Sequence, residues 1–171
     1  MRSRVLLTLV AGVFAVLLAP SITEAQTKFS GKQQCAKPNP EYSVPVTDQA
    51  NHVMMLAGQK CTWTQGEIGG DKFKDEDDVI AMDVVGNQSR DRGYGAGTMA
   101  SGDKYNIRFD GTTTLKDKAP VAAQCTWAFT GGTGKLKGIT GKGTCKGTFK
   151  PDGTAMFDIE GDYKIPAAGK K

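Results

Sequence analysis

The chain has 171 residues, with 22 Lys and Arg against 18 Asp and Glu, a single histidine, 22 glycines and four cysteines. A net charge of +4 falls far short of the basic footprint of a nucleic-acid binder. One histidine, His52, excludes a histidine-based triad or a multi-histidine metal site unless it serves alone.

The chain opens with Arg2 and Arg4, followed by an uncharged, mostly apolar run from Val5 to Ala19, a break at Pro20, and Thr23-Glu24-Ala25. Charged, apolar and small-residue segments in that order predict a secretory signal over 1–25. The apolar run is shorter than the roughly 20 residues a membrane-spanning helix needs. Cleavage after Ala25 removes two arginines and one glutamate, and leaves one domain's worth of chain beginning at Gln26. The expected location is therefore secreted or periplasmic, with no stable membrane anchor after cleavage. Cys35, Cys61, Cys125 and Cys145 are an even set in an exported chain, which predicts two disulfides with three connectivities open. Their spacings do not resemble the close pairs of a zinc site, and no metal or cofactor is expected.

Pro38, Pro40 and Pro45 make residues 26–50 an extended, irregular lead-in, and the barrel domain is expected over 51–165, with a disordered tail at 166–171. His52–Ala57 and Cys61–Thr64 are two short strand candidates. Asp71, Asp75, Glu76, Asp77 and Asp78, interrupted by Lys72 and Lys74, read as a solvated loop rather than a calcium site. Val79–Val85 is a strand ended by Gly86-Asn87. The glycine-rich 93–102 segment suits a strand facing a crowded neighbour, and Tyr105–Phe109 is a strand stopped by Asp110-Gly111, with Thr112–Leu115 continuing after the turn. Gln124–Thr130, Gly141–Phe149 and Thr154–Ile165 follow, the last two joined by a Pro151-Asp152-Gly153 turn.

Alternation assigns the faces. Tyr105, Ile107 and Phe109 oppose Asn106, Arg108 and Asp110. Cys125, Trp127 and Phe129 share a face, as do Cys145, Gly147 and Phe149, and as do Ala155, Phe157, Ile159, Tyr163 and Ile165. Short, β-branched and aromatic runs punctuated by glycine predict an all-β, small antiparallel barrel.

The text from Trp127 to Thr144, Trp-Ala-Phe-Thr-Gly-Gly-Thr-Gly-Lys-Leu-Lys-Gly-Ile-Thr-Gly-Lys-Gly-Thr, resembles the signature hairpin of the allene oxide cyclase barrel-like proteins, which include the dirigent proteins and bacterial secreted domains. Gly102-Asp103-Lys104 and Gly161-Asp162-Tyr163 extend the resemblance over about residues 79–165. It implies an eight-stranded barrel, often a trimer, whose cavity in some members holds an oxidised fatty acid or a phenolic radical. It does not carry an active site across.

Within that hairpin, Gly131, Gly132 and Gly134 are expected at positive φ, and Leu136 and Ile139 are expected to drop onto the barrel end as a plug. A hairpin centred on Lys135 sets Trp127 against Gly143 and Phe129 against Gly141. The same register puts Cys125 opposite Cys145, leaving Cys35 with Cys61.

Other features read as structure. His52 suits a loop edge rather than a general base, and Gly131–Gly134 lacks the ending of a phosphate loop. Lys142, Lys146 and Lys150 are a wet strand face. Asn87-Gln88-Ser89 matches a glycosylation acceptor. Trp63, Trp127, Phe129, Phe149, Phe157 and Tyr163 are core, or the wall of a ligand cavity if the barrel is hollow. With few inward polar residues expected, the reading is a secreted, non-catalytic barrel binding, if anything, a small apolar or aromatic molecule. The alternatives are a barrel-confined isomerase or cyclase, which needs at least two buried polar groups at one end of the cavity, and an oligomeric protein-interaction module.

Overall fold

The computed structural model describes residues 26–166. The expected signal segment, and the expected tail beyond Pro166, lie outside the described residues. Ten strands run in chain order: β1 (Thr27–Cys35), β2 (Glu41–Pro45), β3 (His52–Gln65), β4 (Glu67–Ile68), β5 (Asp71–Val85), β6 (Gln88–Met99), β7 (Lys104–Lys116), β8 (Ala119–Gly132), β9 (Thr140–Phe149) and β10 (Ala155–Lys164), with one 3-10 turn at Gly134–Leu136. No helix among the described residues is long and apolar enough to cross a membrane.

The antiparallel ladder runs β3-β1-β10-β9-β8-β7-β6-β5, and β5 pairs back onto β3, so eight strands close into a barrel. Closure leaves these strands without a free edge over most of their length. One side of β3 faces β5. The other is shared, with β2 along Val53–Ala57 and β1 along Cys61–Gln65.

The expected lead-in therefore contains a complete barrel strand. β1 alternates strictly, with Phe29, Gly31, Gln33 and Cys35 buried. The prolines fall where a ladder tolerates them: Pro38 and Pro40 in the crossover to β2, and Pro45 at the end of β2, which has no strand on its far side. The two expected strands between His52 and Thr64 are one continuous β3.

The solvated loop expected at Asp71–Asp78 is the first half of β5. Its register against β6 slips between Phe73 and Asp75, a bulge at Lys74. That extra residue changes the parity, so Phe73, Glu76 and Asp78 all point inward and are buried, while Lys72, Lys74 and Asp77 stay exposed. The turn expected at Asp110-Gly111 is also absent. β7 runs through it, and the reversal comes at Asp117-Lys118, both at positive φ.

The expected faces of β7 to β10 hold. Asn106, Arg108 and Asp110 are exposed, and Lys142, Thr144, Lys146, Thr148 and Lys150 form a wet face on and just beyond β9. Cys125 stands opposite Cys145 and Trp127 opposite Gly143, and both disulfides are formed as paired above, Cys35–Cys61 and Cys125–Cys145. Pro151-Asp152-Gly153 makes its turn, with Gly153 N–H donating to Lys150 O.

Leu136 and Ile139 are buried and close one barrel end together with Ile68, Met99 and Tyr163. Gly134 has a φ of 51°, but Gly131 and Gly132 do not need positive φ. They end β8 as extended residues, and Gly132 is required because a Cβ there would come within 2.6 Å of Leu136 O.

Candidate functional site

The barrel interior is built from large rings on some strands and glycines on the next. Gly93, Gly95 and Gly97 of β6 face Phe109, Ile107 and Tyr105 of β7. A Cβ on Gly97 would sit 2.0 Å from the Tyr105 ring, so the tyrosine occupies the space a side chain would need. The expected crowding of the glycine-rich strand is thus met by β7. In the same way Trp127 lies over Gly143 and Gly161, and Phe157 over Gly147. Trp63 stacks on Phe73 at 4.3 Å, and Phe29 bridges Trp63 and Trp127.

These rings do not fill the barrel. A cavity of about 290 Å³ remains inside it, at the small end of the range for ligand pockets. Of the six expected wall residues, Trp63, Trp127, Phe129, Phe149 and Phe157 line it. Tyr163 does not: it packs at the plugged end, where its hydroxyl accepts from Gly69 N–H at 3.0 Å. The opposite end, formed by the turns that carry Lys37, Lys118 and Gly153, is where the cavity opens.

The expectation of few inward polar groups fails. Gln33, Gln59, Glu76, Asp78 and Ser89 are buried, and Asp91 also lines the cavity. Asp91 is well served by the hydroxyls of Ser89 and Thr113, the latter at 2.6 Å. Gln59 donates to Ala36 O.

Glu76 and Asp78 are placed differently. Glu76 Oε1 accepts from Gln33 Nε2 at 2.9 Å, and Asp78 Oδ2 lies 3.6 Å from Cys61 Sγ of the β1–β3 disulfide. Glu76 Oε2 and Asp78 Oδ1 are buried without a hydrogen-bond partner. Trp63 Nε1–H donates to Tyr105 Oη at 2.8 Å, which turns that hydroxyl's own proton toward Glu76.

Burial pushes the Asp78 carboxyl up to about 9, and the adjacent Glu76 charge adds to the effect. Burial likewise raises Glu76, against the pull of Tyr105, Gln33 and Asp78. Tyr105 is held far above its ordinary value by burial and then by the charge of Glu76, so it keeps its proton. Asp78 is thus protonated at neutral pH and the pair shares that proton.

A signal for this site was present in the sequence. Stepping back by twos from Val84, Met82 and Ile80, all of which line the cavity, reaches Asp78 and then Glu76 on the same face. The charge density of the segment concealed that alternation.

His52 stands away from the cavity, between Asp48 at 2.6 Å and Asp83 at 2.8 Å, tying the β2–β3 connection to β5. It is a clamp at the barrel end. Asp71, Asp75 and Asp77 do not converge with Glu76 and Asp78, and among the described residues no group of three or more acidic, histidine or cysteine side chains could hold a metal ion.

The fold and site define a small all-β barrel with an aromatic interior and a buried acidic pair. No family model and no curated protein matches the chain. Among solved structures, a protein of unknown function from Rhodopseudomonas palustris is similar at 10% identity and a TM-score of 0.51, covering 82% of this chain and 99% of its own. A DUF3224 family protein of unknown function from Shewanella oneidensis MR-1 is similar at 13% identity and a TM-score of 0.49, over 84% of this chain and 100% of its own. The pterocarpan synthase dirigent protein GePTS1 is similar at 12% identity and a TM-score of 0.45, over 85% and 89%. At these identities the likeness is one of fold alone.

Proposed function

We propose that this is an exported barrel protein that binds a small, flat, largely apolar molecule inside the barrel, with the ligand's polar end turned to Glu76 and Asp78. The 290 Å³ aromatic cavity carries this reading. Titration with simple phenols, followed by quenching of Trp63 and Trp127, tests it. Saturable quenching is expected, and Ala123→Trp, which places a ring inside the cavity, abolishes it. A protein that no such compound quenches overturns the reading. Export is supported by the N-terminal segment and by two disulfides, which fit a non-reducing compartment. A native protein whose mass begins at Gln26 is the expected result.

The buried acid pair favours a second reading, a barrel-confined isomerase in which protonated Asp78 acts as general acid. Turnover of a bound compound that is lost in Asp78→Asn would promote it. The outer face supports assembly with further copies of this chain. Tyr42, Val44, Leu56, Val79 and Tyr94 form an exposed apolar stripe across β2, β3, β5 and β6. Light scattering is expected to give a multiple of the chain mass, reduced to one chain by Val79→Ser with Tyr94→Ser.

A further inference from the structure

The interior carries an imbalance of charge that the fold does not need. Glu76 and Asp78 are both more than nine-tenths buried. No Lys, Arg or His stands within ion-pair distance of either among the described residues. The cations that line the cavity, Lys37 and Lys118, are exposed and belong to the turns at its open end. β6 makes room for the pair, since a Cβ on Gly95 would come within 2.6 Å of Asp78 Oδ1 and 3.1 Å of Glu76 Cδ. A well-packed apolar pair would serve stability as well or better.

We propose that the molecule bound in the barrel carries a protonated amine, seated against the unpartnered oxygens Glu76 Oε2 and Asp78 Oδ1, with its ring in the aromatic cavity that Trp63 and Trp127 help to line. This rests on the ligand-binding reading above and names the class of ligand. A carboxylate, such as a fatty acid, would bring a second negative charge to a buried site that already carries one. A hydroxyl would supply one donor and no charge. An ammonium supplies three donors and the missing positive charge, and the aromatic walls favour a cation over their faces. The volume suits a molecule of one or two rings.

Without a cation the pair holds a shared proton. When the ammonium enters, that proton leaves to solvent and both carboxylates become paired. The groups facing the pair are Gln33 from β1, the Cys61 disulfide from β3, Gly95 from β6 and Tyr105 from β7, with Asp91 nearer the open end.

Calorimetry at neutral pH on the disulfide-bonded protein tests this with three probes on one indole-ethyl frame: tryptamine, tryptophol and indole-3-propionate. Tryptamine is expected to bind at least about tenfold more tightly than tryptophol, with indole-3-propionate weakest. Its binding heat is expected to vary with the ionisation enthalpy of the buffer in the sense of proton release, while that of tryptophol does not. Glu76→Gln and Asp78→Asn, which keep shape, are expected to abolish the preference and retain tryptophol binding. The wild-type series and its buffer dependence decide the matter even if either variant folds poorly. Tryptophol or indole-3-propionate binding as tightly as tryptamine, or a preference surviving both substitutions, overturns the amine while leaving a ligand-binding barrel. Binding of none of the three overturns both.

Discussion

Asp78 sits two residues beyond Glu76 on the inward face of β5, and both carboxyls press over the bare backbone of Gly95 on β6. The position is unfavourable for charge and sets the pH dependence of the fold. Asp78 has a folded value of about 9 against an ordinary 3.8. The stability it contributes is present in full below about 4 and is lost as pH rises toward 9. Denaturant midpoints are therefore expected to fall over that window. Asp78→Asn flattens the profile and makes the variant more stable than the parent at pH 9, by on the order of 2 kcal/mol. A profile identical in parent and variant would show that Asp78 is ionised throughout.

His52 adds a second dependence of the same sign. The hydrogen bond to Asp48, then that to Asp83, raises its value. The clamp's contribution is full below 6.5 and is lost as pH rises through the raised value. NMR titration of the ring is expected to give a midpoint above 6.5, lowered by Asp48→Asn more than by Asp83→Asn. An unshifted midpoint in the parent would mean that the two contacts do not persist in solution.

The ring-over-glycine packing separates two glycines that look alike in sequence. A Cβ on Gly93 would lie 2.1 Å from Phe109 Cζ, whereas one on Gly131 meets nothing within 4 Å. Gly93→Ala is expected to cost about 1–3 kcal/mol through overpacking, and Gly131→Ala to stay within about 0.5 kcal/mol. Phe109→Leu in the Gly93→Ala background should recover part of the loss. Equal melting temperatures for the two alanine variants would place the Phe109 ring elsewhere.

Much of the second half of the barrel was legible because its inward residues are apolar. Tyr105, Ile107 and Phe109 alternate with Asn106, Arg108 and Asp110, and a hairpin centred on Lys135 was enough to pair Cys125 with Cys145. β1 does not stand out in the sequence because its inward residues include Gly31 and Gln33, which carry no hydrophobic signal. The acidic pair is masked for a related reason. Its inward positions hold carboxyls, and the bulge at Lys74 breaks the alternation that would link them to Phe73. The β3–β5 pairing that closes the barrel joins Thr62 to Asp75 and His52 to Val85, a relation that local pattern does not contain. Of the site, the aromatic wall follows from alternation in the later strands, whereas the acids share a face with Ile80, Met82 and Val84 that the surrounding charges mask.

The two ends of the barrel are expected to respond differently to substitution. Leu136 is buried beside Ile139 in the plug and does not line the cavity, whereas Ala123 lines it between the Cys125 disulfide and the open end. Leu136→Ala removes packed methyl groups from the closed end and should cost about 2–5 kcal/mol. The cavity walls and the acid pair remain in place, so ligand affinity should change little while the variant is folded. Ala123→Trp leaves the plug and both disulfides intact and fills space that is otherwise empty, so its melting temperature should stay near that of the parent while binding is lost. Measuring melting temperature and tryptamine affinity on both variants reads the two effects separately. Binding lost in Leu136→Ala and kept in Ala123→Trp would mean that the ligand enters through the hairpin end, and would reverse the assignment of mouth and plug.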